Sequence, residues 1–380
     1  MKILILNYEY PPLGGGTAVA NRYLFSQFKK QRDLKIDLVT SSTNKYKEEA
    51  FSSNINIFRL NIGKRGKNLH HQTVFDLINY FIQSTVFTLK NRHRYDLVHA
   101  FSGLPGGVTA WLSGKPYIIS LRGTEVPGYE ARYSGLNKLI LLLTKLAWKK
   151  ARSVDANSKY LKQLALKTCP DLKIQVIKNG VDGKRFYPAK KLPSKPVILC
   201  NSRLGKRKGV KYLIKAIPIV LKSLPEAQLI LIGEGVEKES LKRLADELKL
   251  DKQVKFLGQV EHQKLPVIYR KSSLFVLPSL SESLSNSLLE ALACGLPVVA
   301  TKVGGNPELV TKQNGILVLP ADSRALAWAI IKLLQDKKLK DKIGRASLNE
   351  AQKYNWTKTT KAYINNYKNS YKNTKPLIDS

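Results

Sequence analysis

The stretch "LFVLPSLSESLSNSLLEALACGLPVVAT", residues 274–301, decides how this chain is read. "LFVLP" is a short run with no polar face, which suits a strand buried on both sides. A serine-rich loop follows, then a segment with helical apolar spacing, a Gly-Leu-Pro turn and a second buried strand, "PVVAT". Strands apolar on both faces and joined through helices form parallel sheets covered on both sides. Two carboxylates stand eight positions apart in this unit, Glu282 in the loop and Glu290 in the helix. Ser287 and Glu290 fit a capping box, with Ser287 as N-cap, a structural use worth about 1 kcal/mol. Glu282 has no such use.

The same alternation runs outward in both directions. "KILILN" (2–7), "KIDLVT" (35–40), "DLVHA" (96–100), "PYIISL" (116–121), "SVDAN" (153–157) and "IQVIK" (174–178) read as buried strands separated by helical stretches. "PVILCN", "AQLILIG", "VKFLG", "LFVLP" and "PVVAT" repeat the theme in the second half. The fold class expected is α/β, with two doubly wound domains facing a central cleft. "FYPAKKLPSKP" (186–196), with three prolines and three lysines, suits a linker between them. The expected domains are residues 1–187 and 195–355, with a helix over 356–372 packing back toward the first. Ligands of such sheets bind at the carboxyl ends of the strands.

Composition narrows the function classes. The chain has 380 residues, 43% of them hydrophobic, and needs two cores rather than one. Three scattered cysteines, Cys169, Cys200 and Cys294, have no metal or disulfide spacing and suit a reducing cytoplasm. No segment reaches the ~20 apolar residues of a spanning helix, so a soluble or peripheral protein is expected. The net charge is +36, with +19 over residues 1–190 and +17 over the remainder. A surface that is basic throughout favours phosphorylated substrates, anionic lipid or nucleic acid. The alternative is a proteome-wide lysine bias.

After the strand "VILCN", Arg203, Lys206, Arg207 and Lys208 crowd one loop, and Gly209 opens a helix. Cations beside free helix N–H groups suit a phosphate. "VGGNPE" (303–308) adds a Gly-Gly loop after a later strand. Cations for phosphate and carboxylates to accept from hydroxyl groups together suit an anion that carries a sugar.

These motifs resemble the family 4 glycosyltransferases, the retaining group with the GT-B fold of two Rossmann-like domains. "SESLSNSLLEALACGLPVVATKVGGNPELV" is close to the family's E-x₇-E motif, and "NSRLGKRKGVKYLIKAI" is similar to its phosphate motif. "NYEYPPLGGGTAVAN" and "VIKNGVDGKRFYP" are looser matches. The resemblance implies that Arg203, Lys208 and Glu282 carry catalysis. It implies donor contacts at Gly15, Gly16, Gly233, Ser283, Leu284, Ser285, Asn286 and Glu290, with Glu282 toward the sugar and Glu290 toward the ribose. Many relatives carry a histidine where Arg122 stands, and Phe101 stands where a second histidine often follows His99. Arg122, His99 and Glu125 are therefore candidates for the acceptor or sugar site.

The implied reaction is transfer of a sugar from a nucleotide-diphosphate donor to a glycan or lipid-linked acceptor, in envelope polysaccharide or glycolipid synthesis. No Asp-x-Asp tripeptide occurs in the chain. No metal and no cofactor beyond the donor are expected, with fixed cations stabilising the leaving diphosphate. On a helix over 135–152, Lys138, Lys145, Lys149 and Arg152 fall on one side, an expected peripheral contact with the anionic inner face of a membrane. No nucleic acid is expected. Two rival readings are a nucleotide-sugar epimerase of the same fold and a non-enzymatic polyanion binder. The second leaves Glu282 and Glu290 unexplained. "PLGGGTA" is not the dinucleotide fingerprint G-x-G-x-x-G, which argues against a nicotinamide dehydrogenase.

Overall fold

A computed structural model describes residues 1–63, 73–129, 138–190, 193 and 195–372. The His70-His71 pair, residues 135–137, part of the 186–196 stretch and the last eight residues lie outside that description. The chain divides into two compact units, Met1–Asn179 with Trp356–Ser380, and Gly180–Asn355.

The first unit contains β1 (Lys2–Leu6), α1 (Gly16–Phe28), β2 (Lys35–Ser42), β3 (Lys47–Ser52), β4 (Ile55–Asn61), α2 (Val74–Asn91), β5 (Leu97–Ala100), α3 (Gly106–Leu112), β6 (Tyr117–Leu121), α4 (Lys138–Lys150), β7 (Ser153–Ala156), α5 (Lys159–Thr168) and β8 (Ile174–Val176). Its sheet runs β3-β4-β2-β1-β5-β6-β7-β8, and every pairing is parallel except β3 with β4. Alternate residues of β1 feed opposite cores. Leu4 and Leu6 pack with Tyr80 of α2, Ala110 of α3 and Trp148 of α4. Ile3 and Ile5 pack with Leu24, Phe25 and Phe28 of α1 and with Tyr363 and Tyr367 from the end of the chain. β3 and β4 were not among the expected strands. "KEEAFS" is a polar, antiparallel edge with no apolar run to mark it.

The second unit contains β9 (Val197–Asn201), α6 (Val210–Ser223), β10 (Gln228–Ile232), α7 (Lys238–Glu247), β11 (Val254–Gly258), α8 (Leu265–Arg270), β12 (Leu274–Leu277), α9 (Asn286–Ala293), β13 (Val298–Thr301), β14 (Gly315–Val318), α10 (Ser323–Gln335) and α11 (Lys337–Ala351). The last helix, α12 (Trp356–Lys372), belongs to the first unit. The second sheet is wholly parallel, in the order β11-β10-β9-β12-β13-β14. Numbered within the unit, that order is 3-2-1-4-5-6, whose direction reverses between β9 and β12, where doubly wound sheets take their ligands. In the first sheet the reversal falls between β1 and β5.

The units part at residues 179 and 180, ahead of the proline- and lysine-rich stretch expected to link them. Val181 and Phe186 are buried in the second core, so the chain has already joined that unit when it reaches the prolines.

Candidate functional site

In the second unit the loops after β9 and β12 grip each other at the sheet's switch point. The loop after β9 tightens into a 3-10 turn, Lys206–Lys208, and the Leu280 N–H donates to the Arg207 carbonyl at 2.7 Å. The Arg207 guanidinium returns the contact on the Ser281 carbonyl at 3.3 Å. These two bonds put Lys208 beside Glu282, and the ammonium pairs directly with Oε2 of the carboxylate. Ser279 Oγ donates to the same oxygen at 3.3 Å.

The Gly-Gly loop explains how Glu282 stays in place. Gly304 has φ +52°, and a Cβ there would come within 1.7 Å of the Glu282 carbonyl oxygen. The Gly305 N–H donates to that carbonyl at 3.1 Å. The two glycines therefore clamp the backbone of Glu282 from the loop after β13.

Side chains of Lys208 and Glu282 are only 13% and 8% exposed, so both charges have left water. Burial alone would raise the Glu282 pKa, but the charges of Lys208 and Arg207 outweigh it and hold the carboxyl below its ordinary range. Burial pulls Lys208 down and Glu282 opposes it. Glu282 is ionised at neutral pH, so it serves as an acceptor and not as a proton donor. An ammonium has three N–H donors, and Lys208 can hold Glu282 with one while offering another to a phosphate oxygen.

Glu290 stands differently from expectation. The N-cap of α9 is Ser285, whose Oγ accepts from the Leu288 N–H at 3.2 Å, so Ser287 caps nothing and no capping box forms. Glu290 lies in the helix body. Its Oε1 meets His262 Nε2 at 2.9 Å and its Oε2 accepts from the Tyr269 hydroxyl at 3.0 Å. Tyr269 also accepts from Asn201 Nδ2 at 3.0 Å, at the end of β9. Burial first, and then the charge of Glu290, push the Tyr269 pKa well up, so it stays a donor. Phe186 packs edge-on against both His262 and Tyr269, with ring centroids 5.6 Å apart in each case. No local sequence signal marks His262, Tyr269 or Asn201, and none of the three is among the expected site residues.

The other donor candidates divide. Ser283, Ser285 and Asn286 line the same loop, and Arg203 is exposed on the loop after β9. The Leu284 side chain belongs to the core with Leu288 and Leu289, leaving only its backbone for a ligand. Gly233 has φ +131°, and a Cβ there would sit 1.9 Å from the Ser202 carbonyl. That contact alone accounts for the glycine. In the first unit Gly15 caps α1 and Gly16 begins it, and the Gly15 N–H donates to Glu9 Oε2 at 3.3 Å.

His99, Arg122 and Glu125 fall in one buried network of the first unit. His99 Nδ1 meets the Tyr367 hydroxyl and Nε2 meets Ser120 Oγ, each at 2.8 Å. Ser120 donates its single proton to Asp155 Oδ2 at 2.8 Å, so it accepts from His99, which fixes the Nε2–H tautomer. Burial, reinforced by Arg122, keeps His99 neutral. The Arg122 guanidinium donates to Asn179 Oδ1 at 3.0 Å and to the Tyr363 hydroxyl at 2.8 Å, above the Phe101 ring at 4.7 Å. Tyr363 donates on to Asp155 Oδ1 at 3.1 Å. Burial raises the Asp155 pKa to about 6, although Arg122, Ser120 and Tyr363 all pull it down. Glu125 accepts from the Arg122 backbone N–H, and burial raises its pKa also. His99 is thus enclosed with both ring nitrogens engaged, and Arg122 is tied to α12.

Two parallel-dominated α/β sheets on successive units are the GT-B fold. The family model "Glycosyltransferase Family 4" matches residues 14–185, and "Glycosyl transferases group 1" matches residues 184–350. The chain belongs to the family 4 glycosyltransferases.

Among curated relatives, an uncharacterized glycosyltransferase of Methanocaldococcus jannaschii is 28% identical over 97% of this chain and 98% of that one. A GDP-mannose-dependent alpha-(1-6)-phosphatidylinositol monomannoside mannosyltransferase of Mycolicibacterium smegmatis is 26% identical over 88% and 89%. The solved structure of a sucrose-phosphate synthase from Thermosynechococcus elongatus shares the fold, with TM-score 0.85 at 24% identity over 98% and 100%. Among the described residues no helix is long and apolar enough to cross a membrane.

Proposed function

We propose that the chain is a retaining, metal-independent transferase that moves a sugar from a nucleotide-diphosphate donor to a lipid-linked or glycan acceptor of the cell envelope. The carrying observation is the buried Lys208–Glu282 contact, held at the switch point with Glu290 on the helix that follows. In this reading Lys208 and Arg203 stabilise the diphosphate as charge develops on it, helped by the N-terminus of α9. Glu282, kept ionised, accepts from sugar hydroxyls. Glu290 accepts from the ribose, and His262 and Tyr269 hold it in the rotamer that does so. The missing Asp-x-Asp tripeptide supports a reaction that relies on these fixed cations. A relative named for a phosphatidylinositol-mannoside acceptor supports a lipid-borne one. Lys138, Lys149 and Arg152 are exposed and Lys145 is half-buried, which suits contact with the anionic inner face of a membrane.

The test is incubation of the purified chain with UDP- and GDP-sugars and an envelope lipid extract, with and without EDTA. Label should pass from one donor into the lipid phase, survive EDTA, and keep its anomeric configuration by NMR. Isomerised donor without any transfer would replace this reading with the epimerase. An inverted anomer, or transfer abolished by EDTA, would remove the retaining or the metal-free part of it.

A further inference from the structure

Helix α2 is built inside out. Its buried positions, Asp76, Tyr80, Ser84 and Thr88, recur every four residues, and three of the four are small or charged polar groups, with Phe87 packing partly buried against the core beside them. Three of the four have polar partners, and the Thr88 hydroxyl is buried without one among the described residues. Asp76 closes the capping box with Thr73, the Tyr80 hydroxyl donates to the Val39 carbonyl at 3.0 Å, and Ser84 lies 3.4 Å from the Thr109 hydroxyl on α3. The face turned to solvent is the apolar one, with Phe75 68%, Ile78 50%, Ile82 52% and Val86 46% exposed. Val74 and Leu89 extend the same stripe. At 100° per residue these side chains fit within an arc of about 120°. A surface helix of a globular protein shows the opposite arrangement.

α3 packs against both α2 and α4, so the three helices share one face of the first sheet. Leu112 on α3 and Ile140 and Leu142 on α4 are exposed as well. The three helices contain one acid in all, Asp76, and it is buried. Exposed cations surround the apolar residues: Lys90 at the end of α2, Arg94 just beyond it, and Lys138, Lys149 and Lys150 on α4. Among the described residues of these three helices the exposed charges are all positive, and an apolar stripe with such neighbours complements an anionic lipid surface, with the side chains entering the acyl boundary and the cations facing the headgroups.

We propose that α2 is a membrane-inserting element, and that its outward stripe, rather than the α4 cations alone, seats the first unit on anionic bilayers. This builds on the membrane contact proposed above, and its test reads lipid binding apart from the donor site. The full chain is sedimented with phosphatidylcholine vesicles with and without phosphatidylglycerol, at low and high salt. The wild type should bind the anionic vesicles and retain part of that binding at high salt, because insertion is not screened. The triple variant Ile78→Gln/Ile82→Gln/Val86→Gln should bind about tenfold or more weakly. Its thermal midpoint and its shift with nucleoside diphosphate should match the wild type. Ile82→Trp keeps the face apolar and gives a second reading, emission moving to shorter wavelength on anionic vesicles.

Equal binding by the triple variant, or an Ile82→Trp variant whose emission vesicles leave unmoved, would overturn the proposal. So would a lipid-free dimer that the triple variant turns into monomer, because a second copy would then cover the stripe. If vesicle binding fails while the nucleotide shift persists, the docking idea falls and the transferase reading stands.

Discussion

Arg122 and Lys208 each follow a parallel strand, and each brings a cation close to a buried acid. Around Lys208 the partners come from loops, namely Ser279 and Glu282 after β12 and the two glycines after β13. Around Arg122 they come from the interior and from α12: Asn179, the Phe101 ring, and Tyr363 with Asp155 behind it. The first arrangement leaves N–H and carboxylate capacity at a loop surface. The second uses its polar atoms to fasten a helix from the far end of the chain. The loop-bound charge of Lys208 fits the donor site proposed above, and the contacts of Arg122 fasten α12.

The comparison breaks first at Lys208. Lys208→Ala leaves Glu282 buried without its counter-charge, which should cost about 3–5 kcal/mol in urea unfolding. It should also lower the rate of sugar transfer about 10²–10³-fold. The double variant Lys208→Met/Glu282→Gln should recover most of the stability and none of the activity. Recovery of both would mean that the pair is structural, like its counterpart around Arg122.

Asp155 gives the next largest effect, with a definite sign. Its folded-state pKa is raised from 3.8 to about 6, so the folded protein binds the proton more tightly than the unfolded chain does. The stabilisation from that proton is complete below 3.8 and is lost as pH rises through 6. Between about pH 4 and 7 the wild type should lose about 2 kcal/mol relative to Asp155→Asn, measured as the difference between their stability curves. Parallel curves would show that the network around Arg122 carries no titrating acid.

Smaller effects sharpen the contrast. Tyr363→Phe removes the hydroxyl shared by Arg122 and Asp155 and should destabilise by about 1–3 kcal/mol in thermal unfolding. Nucleotide affinity should not change, because no group of the second unit is touched. Tyr269→Phe should do the reverse. It frees one oxygen of Glu290 and should weaken nucleotide binding by about 1 kcal/mol in calorimetry, roughly five- to tenfold in Kd, with a lesser effect on stability.

The second unit was the more legible in sequence because its strands are unbroken apolar runs and its charged loops follow them directly. β14 was not read there, since "GILV" is short and opens on glycine. The N-cap of α9 was misplaced because Ser283, Ser285 and Ser287 offer the same hydroxyl at three positions, and only the backbone selects Ser285. Glu290 looked like a capping residue because its partners, His262 and Tyr269, lie 28 and 21 residues away with no local signal. His99 is held by Tyr367 across 268 residues, so its burial could not be read beside it. Helix α2 shows a further limit. Its periodicity announces an apolar face but not which way that face points, and the hint lay in Asp76, Ser84 and Thr88 recurring on the other side.

The most direct measurement is calorimetric titration of UDP, GDP and ADP, each with EDTA, into the wild type, Glu290→Ala and Tyr363→Phe. The account predicts that one nucleoside diphosphate binds the wild type and Tyr363→Phe with equal affinity, and that Glu290→Ala binds it at least about tenfold more weakly. Binding undisturbed in Glu290→Ala, or no binding of any nucleoside diphosphate to the wild type, would contradict the assignment of the donor site to the second unit.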